Sequence, residues 1–286
     1  MTIELLQKNI EPNDKVIDVS DPVLGTEMMQ DEYRVMYEVE DSFWWYVGMR
    51  RNLLALLQKH WDWTAQPNPT VLDAGCGTGG ILQKLTNNFG GQLNTGAAVG
   101  VDISDQAIRF CRARGLAGYV AQASLVELPF AREQFDIVTS FDVACHMPAD
   151  RPAFAEVSRV LRRGGIFVTN LPAYQFLSSE HDVAVRIKRR YTKKLLANRL
   201  NEVGLQIERL TYVNTILFPP AAVIRLIKNA RGKGANAAEA HSDLTPPPAV
   251  VNKLLTGLMG LEADILAKTK LILPFGLSVM AVARKV

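Results

Sequence analysis

Cysteine and histidine are scarce in this 286-residue chain, with three of the first and four of the second. Cys76, Cys111 and Cys145 form no C-x-x-C pair and no metal-ligand spacing. That argues against a disulfide framework and a structural zinc, leaves no metal to expect, and suits a reducing compartment. No uninterrupted apolar run approaches the roughly 20 residues of a membrane span, and the Met1-Thr2-Ile3-Glu4 start lacks the basic, then apolar, pattern of a signal peptide. A cytoplasmic protein is expected. Strong charge of either sign is missing too: a net charge of +3 is too small to argue for nucleic acid.

What is present is ordinary for a globular protein, with 48% hydrophobic and 21% charged residues. A chain of this length buries a substantial core. Up to about Gly25 it mixes acids with Pro12 and Pro22 and reads as an irregular arm. From Met28 the pattern turns helical and aromatic, with Phe43-Trp44-Trp45-Tyr46 followed by a helix over 49–60. Such a cluster either packs a helix onto a core or roofs a ligand. Past Pro67 and Pro69, short apolar strands (70–74, 97–103, 119–121, 135–141, 166–170) alternate with helical patterns (81–88, 105–114, 151–161). That alternation predicts an α/β, Rossmann-like, doubly wound and mostly parallel sheet, with ligands outside the carboxyl ends of its strands.

The chain is organised around Val71-Leu72-Asp73-Ala74-Gly75-Cys76-Gly77-Thr78-Gly79-Gly80, a buried strand running into a tight turn that opens a helix. Glycine lets the backbone turn sharply and a ligand approach closely. Gly75, Gly77 and Gly80 also fit the dinucleotide pattern, so a NAD(P)-dependent oxidoreductase is one reading. Asp73 points elsewhere, because a carboxylate there repels a pyrophosphate and attracts an ammonium and a sulfonium. The acid favours S-adenosylmethionine.

The other strand ends complete the candidate cofactor site. Asp102, with Ile103 beside it, ends the second strand where both ribose hydroxyls can be accepted, and Ser104 fills the helix-cap role. Ser124 and Leu125 are placed to meet an adenine edge, and Phe141 ends the fourth strand at the mouth of the site. Cys76 lies within the loop itself. Arg50, beyond Tyr46, suits the methionine carboxylate of the cofactor through a forked hydrogen bond. His146, and His181 beside Asp182, are the candidate general bases, and Tyr191 is the candidate for orienting substrate. Cys145 reads as a small buried residue.

Residues from roughly 40 to 172 resemble the class I S-adenosylmethionine-dependent methyltransferases of the bacterial small-molecule type. The likeness rests on the glycine loop with Phe135-Asp136-Ile137-Val138 and Arg159-Val160-Leu161-Arg162-Arg163-Gly164-Gly165 in register. The resemblance implies a seven-stranded sheet with an antiparallel last strand, for which 277–283 is the candidate. A His-Asp and an Arg-Arg-Tyr-Thr segment resemble a subgroup in which a histidine often stands two positions before the Arg-Arg pair. Here that position is Ile187.

The expected organisation is an arm and capping helices over 1–66, a cofactor-binding core over 67–215, a helical insertion over 216–270, and a final strand over 271–286. The insertion is read as an amphipathic helix over 218–228, a linker over 232–248 and a helix over 249–268, set to cap the site, to dimerise, or to touch a membrane surface through 216–230. Residues 181–200 carry seven Lys or Arg against one acid, a run that reads first as a solvated face. The function expected is methyl transfer to a small or lipid-like metabolite at oxygen, nitrogen or carbon. The alternatives are the oxidoreductase and a catalytically silent binding protein. Oligomeric state and acceptor are not legible.

Overall fold

The computed structural model describes residues 28, 30–93, 97–230 and 246–286, with the side chains of Gln30, Glu180, His181, Lys228, Asn229 and Ala230 outside that description. The arm expected before Gly25 lies outside it as well, as does the expected linker as far as residue 245.

Two helices lead in, α1 (Gln30–Val39) and α2 (Trp44–His60). The core then alternates: β1 (Thr70–Ala74), α3 (Gly80–Thr86), β2 (Ala97–Asp102), α4 (Asp105–Ala113), β3 (Val120–Gln122), β4 (Phe135–Phe141), α5 (Arg151–Val160) and β5 (Leu161–Pro172). Next come α6 (Glu180–Ala184), α7 (Lys193–Glu202), β6 (Leu205–Val213), α8 (Phe218–Ala230), α9 (Ala249–Lys268) and β7 (Ser278–Lys285). The seven strands form one sheet in the order β3-β2-β1-β4-β5-β7-β6. β7 runs antiparallel to both β5 and β6, and the pairs from β3 to β5 are parallel. The order reverses at β1, so the loops after β1 and β4 diverge and open a crevice at the carboxyl edge.

Successive residues of β1 serve opposite faces. Val71 joins the cluster under α2, α3, α4 and α9 (Leu53, Leu82, Ile108, Leu266), whereas Leu72 joins the one under α5 and α7 (Phe154, Val157, Leu196). Leu53, Leu56 and Leu57 of α2 are fully buried, which contributes about 1.5–3 kcal/mol each.

Several boundaries have visible causes. Ser104 caps α4, its side chain accepting from Ala107 N–H, and Thr192 caps α7 in the same way through Leu195 N–H. The β4–β5 register shifts between Phe135 and Ile137: pairing begins at Leu161, is interrupted over residues 162–165 where Gly164 takes φ +78°, and resumes at Ile166. The Gly164-Gly165 pair is thus a bulge inside one longer strand. α2 begins at Trp44, five residues earlier than the pattern predicts. Its first turn is aromatic, and its start is capped from a distance: Asn252 of α9 accepts from Trp44 N–H at 3.0 Å and donates to Ser42 O at 2.9 Å.

Candidate active site

A cavity of about 270 Å³ opens at the carboxyl edge. Its wall takes Asp73 from β1, Gly75, Cys76, Gly77 and Thr78 from the loop, Asp102 and Ile103 from β2, and Phe141 and Asp142 from β4. Leu125, His146, Pro172 and Ser278 also reach it, while α1, the turn after it and α2 supply Glu32, Met36, Glu40, Trp45, Tyr46 and Arg50.

The loop is built to come close. Gly75 sits at φ +85°, and a Cβ there would lie 2.2 Å from Val143 Cγ2. Gly77, at φ +53°, keeps its N–H on Asp102 Oδ2 at 2.9 Å. Asp102 Oδ1 accepts from Ser104 N–H at 3.0 Å. Asp102 is therefore a carboxylate fixed by two backbone donors.

Asp73 is 1% exposed. Thr139 Oγ1 donates to its Oδ1 at 2.8 Å, and its Oδ2 has no hydrogen-bond partner among the described residues. Burial pushes the carboxyl up to about 7; the Thr139 hydrogen bond opposes this, while the charges of Asp102 and Glu40 add to it. Arg50 forms no ion pair among the described residues, and burial lowers its pKa. One wall thus holds a buried carboxylate oxygen without a hydrogen-bond partner and a guanidinium without an ion pair among the described residues, and the buried oxygen is costly unless a ligand completes it.

A clamp ties α1 to the loop. Arg114 donates to Glu40 Oε1 at 2.6 Å, to Asp41 at 2.8 Å, to Thr78 O at 2.8 Å and to Tyr37 O at 3.1 Å. Thr78 Oγ1 also donates to Glu40. Burial raises the Glu40 pKa and the Arg114 charge opposes the rise. This network has no sequence signature, because its members lie up to 77 positions apart and only Thr78 belongs to the glycine motif.

Of the expected cofactor residues, ten line the cavity: Asp73, Gly75, Cys76, Gly77, Asp102, Ile103, Leu125, Phe141, Arg50 and Tyr46. Gly79 does not. It starts α3 at φ +91° and faces Leu116 and Cys111. Ser124 is also outside the wall, and its hydroxyl accepts from Val126 N–H. Trp45 and Tyr46 roof the site while Phe43 is buried against the helix, so the aromatic run does both things expected of it.

Among the acceptor-side residues His146 lines the cavity. The side chain of His181 lies outside the described residues; its backbone begins α6. Tyr191 is not brought to the cavity. It is fully buried, its hydroxyl donating to Asp150 Oδ2 at 2.8 Å, and burial with the Asp150 charge raises its pKa. The strong Asp150 acceptor, which also pairs with Arg189 and Arg199, draws the ring into the core. Three cations of the basic run therefore turn inward, since Arg190 forms a buried two-point pair with Asp182 at 2.6 Å and lines the cavity.

Asp142 was missed as a site residue. It follows β4 at φ +56°, accepts from Asn170 Nδ2 at 3.1 Å, and burial pushes its carboxyl up to about 7. A carboxylate directly after a parallel strand was the available signal. Cys145 is fully buried with its thiol on Asp142 O, and burial pushes its pKa well up, as suits an inert residue.

Residues 72–169 match a family described as methyltransferase domain. The chain is 31% identical over 111 residues to 24-methylenesterol C-methyltransferase 2 of Oryza sativa, covering 37% of this chain and 29% of that protein. It is 26% identical over 155 residues to the sterol 24-C-methyltransferase of Eremothecium gossypii, covering 48% and 40%. The chain thus spans less than half the length of these curated relatives. In fold it is similar to a chain of the complex between the Haloferax volcanii Trm112 methyltransferase activator and a presumed methyltransferase, with TM-score 0.54, 17% identity, and 89% and 93% of the two chains covered. The matched segment holds the glycine loop and the strands from β1 to β5, so over residues 72–169 the chain is similar to methyltransferase domains, within a seven-stranded sheet whose fold the neighbouring structure shares.

Proposed function

We propose that this chain transfers a methyl group from S-adenosylmethionine to a small, lipid-like acceptor. The observation that carries the reading is the pair of unsatisfied groups in one wall: Asp73 Oδ2 without a hydrogen-bond partner and Arg50 without an ion pair among the described residues. The amino-acid end of the cofactor is a zwitterion, and these groups suit its ammonium and its carboxylate respectively. Asp102 suits the ribose hydroxyls, and Ile103 and Leu125 give an apolar slot for adenine. A dinucleotide fits less well, since Asp73 would stand against its pyrophosphate.

When bound, S-adenosylmethionine supplies an electrophilic methyl group on a sulfonium. The chain's own work is alignment and exclusion of water. Trp45, Tyr46 and Met36 roof the loop, and Val185, Ile187, Met147 and Leu277 give the rest of the wall an apolar character. That character, and the sterol substrates in the names of the two curated relatives, support a lipid-like acceptor. Asp142 and His146 stand in the wall where an acceptor proton can be taken. The helices before β1 and between β6 and β7 are read as the cap over this cavity, and the three buried free cysteines suit a cytoplasmic location.

Calorimetry with S-adenosylhomocysteine and with NADH tests the reading. Binding of the first alone is expected, weakened about tenfold or more in Arg50→Ala. No binding of S-adenosylhomocysteine would remove the proposal, and unchanged affinity in Arg50→Ala would remove that residue from it.

A further inference from the structure

Ser278 opens β7 at the carboxyl edge of the sheet, and cofactor binding gives its hydroxyl nothing to do. The residue is 1% exposed and lines the cavity, yet its Oγ has no hydrogen-bond partner among the described residues. A buried hydroxyl left in that state is costly, and folded chains rarely keep one. Its direction follows from the register. Ser278 pairs with Pro172 of β5 and Val213 of β6, and residues directly opposed in a sheet point to one face. Val213, and Met280 two residues along β7, belong to the cluster under α2 and α9, while Pro172 lines the cavity. The Ser278 side chain therefore stands on the face that α2 roofs with Trp45 and Tyr46.

Position sets this hydroxyl apart from the cofactor end. The sheet runs β2-β1-β4-β5-β7, so Ser278 lies three strands beyond β1, which carries Asp73, and two beyond β4, which leads into Asp142. At about 4.8 Å per strand the second separation is on the order of 10 Å. The wall on this side is apolar at Leu277, next to Ser278, and at Ile187, whose neighbour Lys188 is held by Cys145 O just after β4. Polar chemistry at the far end suits a neutral oxygen. A serine hydroxyl both donates and accepts, and Arg225, which lines the cavity with one N–H on Leu177 O, can only donate. Arg190 is already neutralised by its two-point pair with Asp182. The Glu262 carboxylate is held by the N–H groups of Asn214 and Thr215, directly after Val213, so an anion brought to Ser278 would approach it. We infer that Ser278 binds a hydroxyl at the far end of the lipid-like acceptor, on the order of 10 Å from the reacting end at Asp142, an assignment that rests on the methyl-transfer reading of the cavity.

Calorimetry on the full chain, with and without S-adenosylhomocysteine, tests this with three probes: 1-octanol, octanoate, and ethylbenzene as an apolar body without oxygen. Wild type is expected to bind 1-octanol more tightly than octanoate. Ser278→Ala should weaken 1-octanol by about three- to tenfold and leave ethylbenzene unchanged. The ligand-free thermal midpoint of Ser278→Ala should equal or exceed that of wild type, because alanine removes a buried polar atom that has no hydrogen bond to lose. The inference is overturned if 1-octanol does not bind wild type, if it binds Ser278→Ala as tightly, or if octanoate binds wild type more tightly than 1-octanol. A lower midpoint in Ser278→Ala also overturns it, since the hydroxyl would then be bonded within the fold. Ser278-dependent binding of 1-octanol without any binding of S-adenosylhomocysteine would sink the methyl-transfer reading and leave Ser278 as a hydroxyl site.

Discussion

Asp73 makes the cofactor reading quantitative. Its carboxyl is lifted from 3.8 to about 7 by burial, which corresponds to about 4 kcal/mol. The sign follows from which form the fold disfavours. Below pH 4 the group is protonated both folded and unfolded and costs nothing; as pH rises toward 7 the unfolded chain ionises it first, and the ligand-free protein loses up to about 4 kcal/mol of stability. Binding an ammonium needs the ionised form. The affinity for S-adenosylhomocysteine should therefore fall about tenfold per pH unit below 7 and level off above it, with a proton released on binding at pH 6. Isothermal calorimetry in two buffers of different ionisation enthalpy reads both quantities. Asp73→Asn should abolish the slope, weaken binding at pH 7.5, and raise the ligand-free thermal midpoint above pH 7. Asp142, also near 7 and in the same wall, is the control: Asp142→Asn should keep the slope. A pH-independent affinity in wild type, or a slope that survives Asp73→Asn, refutes the role given to Asp73.

Three further outcomes follow from the same contacts. Gly75→Ala adds a Cβ at 2.2 Å from Val143 Cγ2 on a left-handed residue, so urea midpoints should report a loss of about 2–3 kcal/mol, and Val143→Ala in the same chain should restore only the steric part. Arg114→Met strands Glu40, of which 7% is exposed, and should cost about 3–5 kcal/mol by urea unfolding; adding Glu40→Gln should recover part of it. Tyr191→Phe removes a hydrogen bond to Asp150 and should cost about 1.5–3 kcal/mol, yet leave S-adenosylhomocysteine affinity unchanged by calorimetry, because Tyr191 lies outside the cavity wall.

The reach of sequence reasoning here follows the range of the forces involved. The glycine loop was legible because its constraint is local: Gly75, Gly77 and Gly79 all take positive φ, and a strand of five buried residues precedes them. The parallel core was legible for a related reason, since strands buried on both faces leave short apolar runs between amphipathic helices. Where a side chain's position is set by a partner far along the chain, the local pattern carries no trace of it. Trp44 opens α2 because Asn252, 208 positions away, accepts its N–H. Tyr191 stands beside Arg190, yet one ring is drawn into the core by Asp150 while the neighbouring guanidinium lines the cavity against Asp182. The segment that reads as a single basic motif is thus divided between two acids 32 positions apart, Asp150 and Asp182. This division separates Tyr191 from the cavity, and the proposed reading then leaves the acceptor side to Asp142, His146 and the apolar wall around Ile187. In that wall Ile187 replaces the histidine that the resemblance leads one to expect. An apolar side chain there withdraws one titratable group from the acceptor and offers it a hydrocarbon contact, which fits an acceptor held by burial more than by charge.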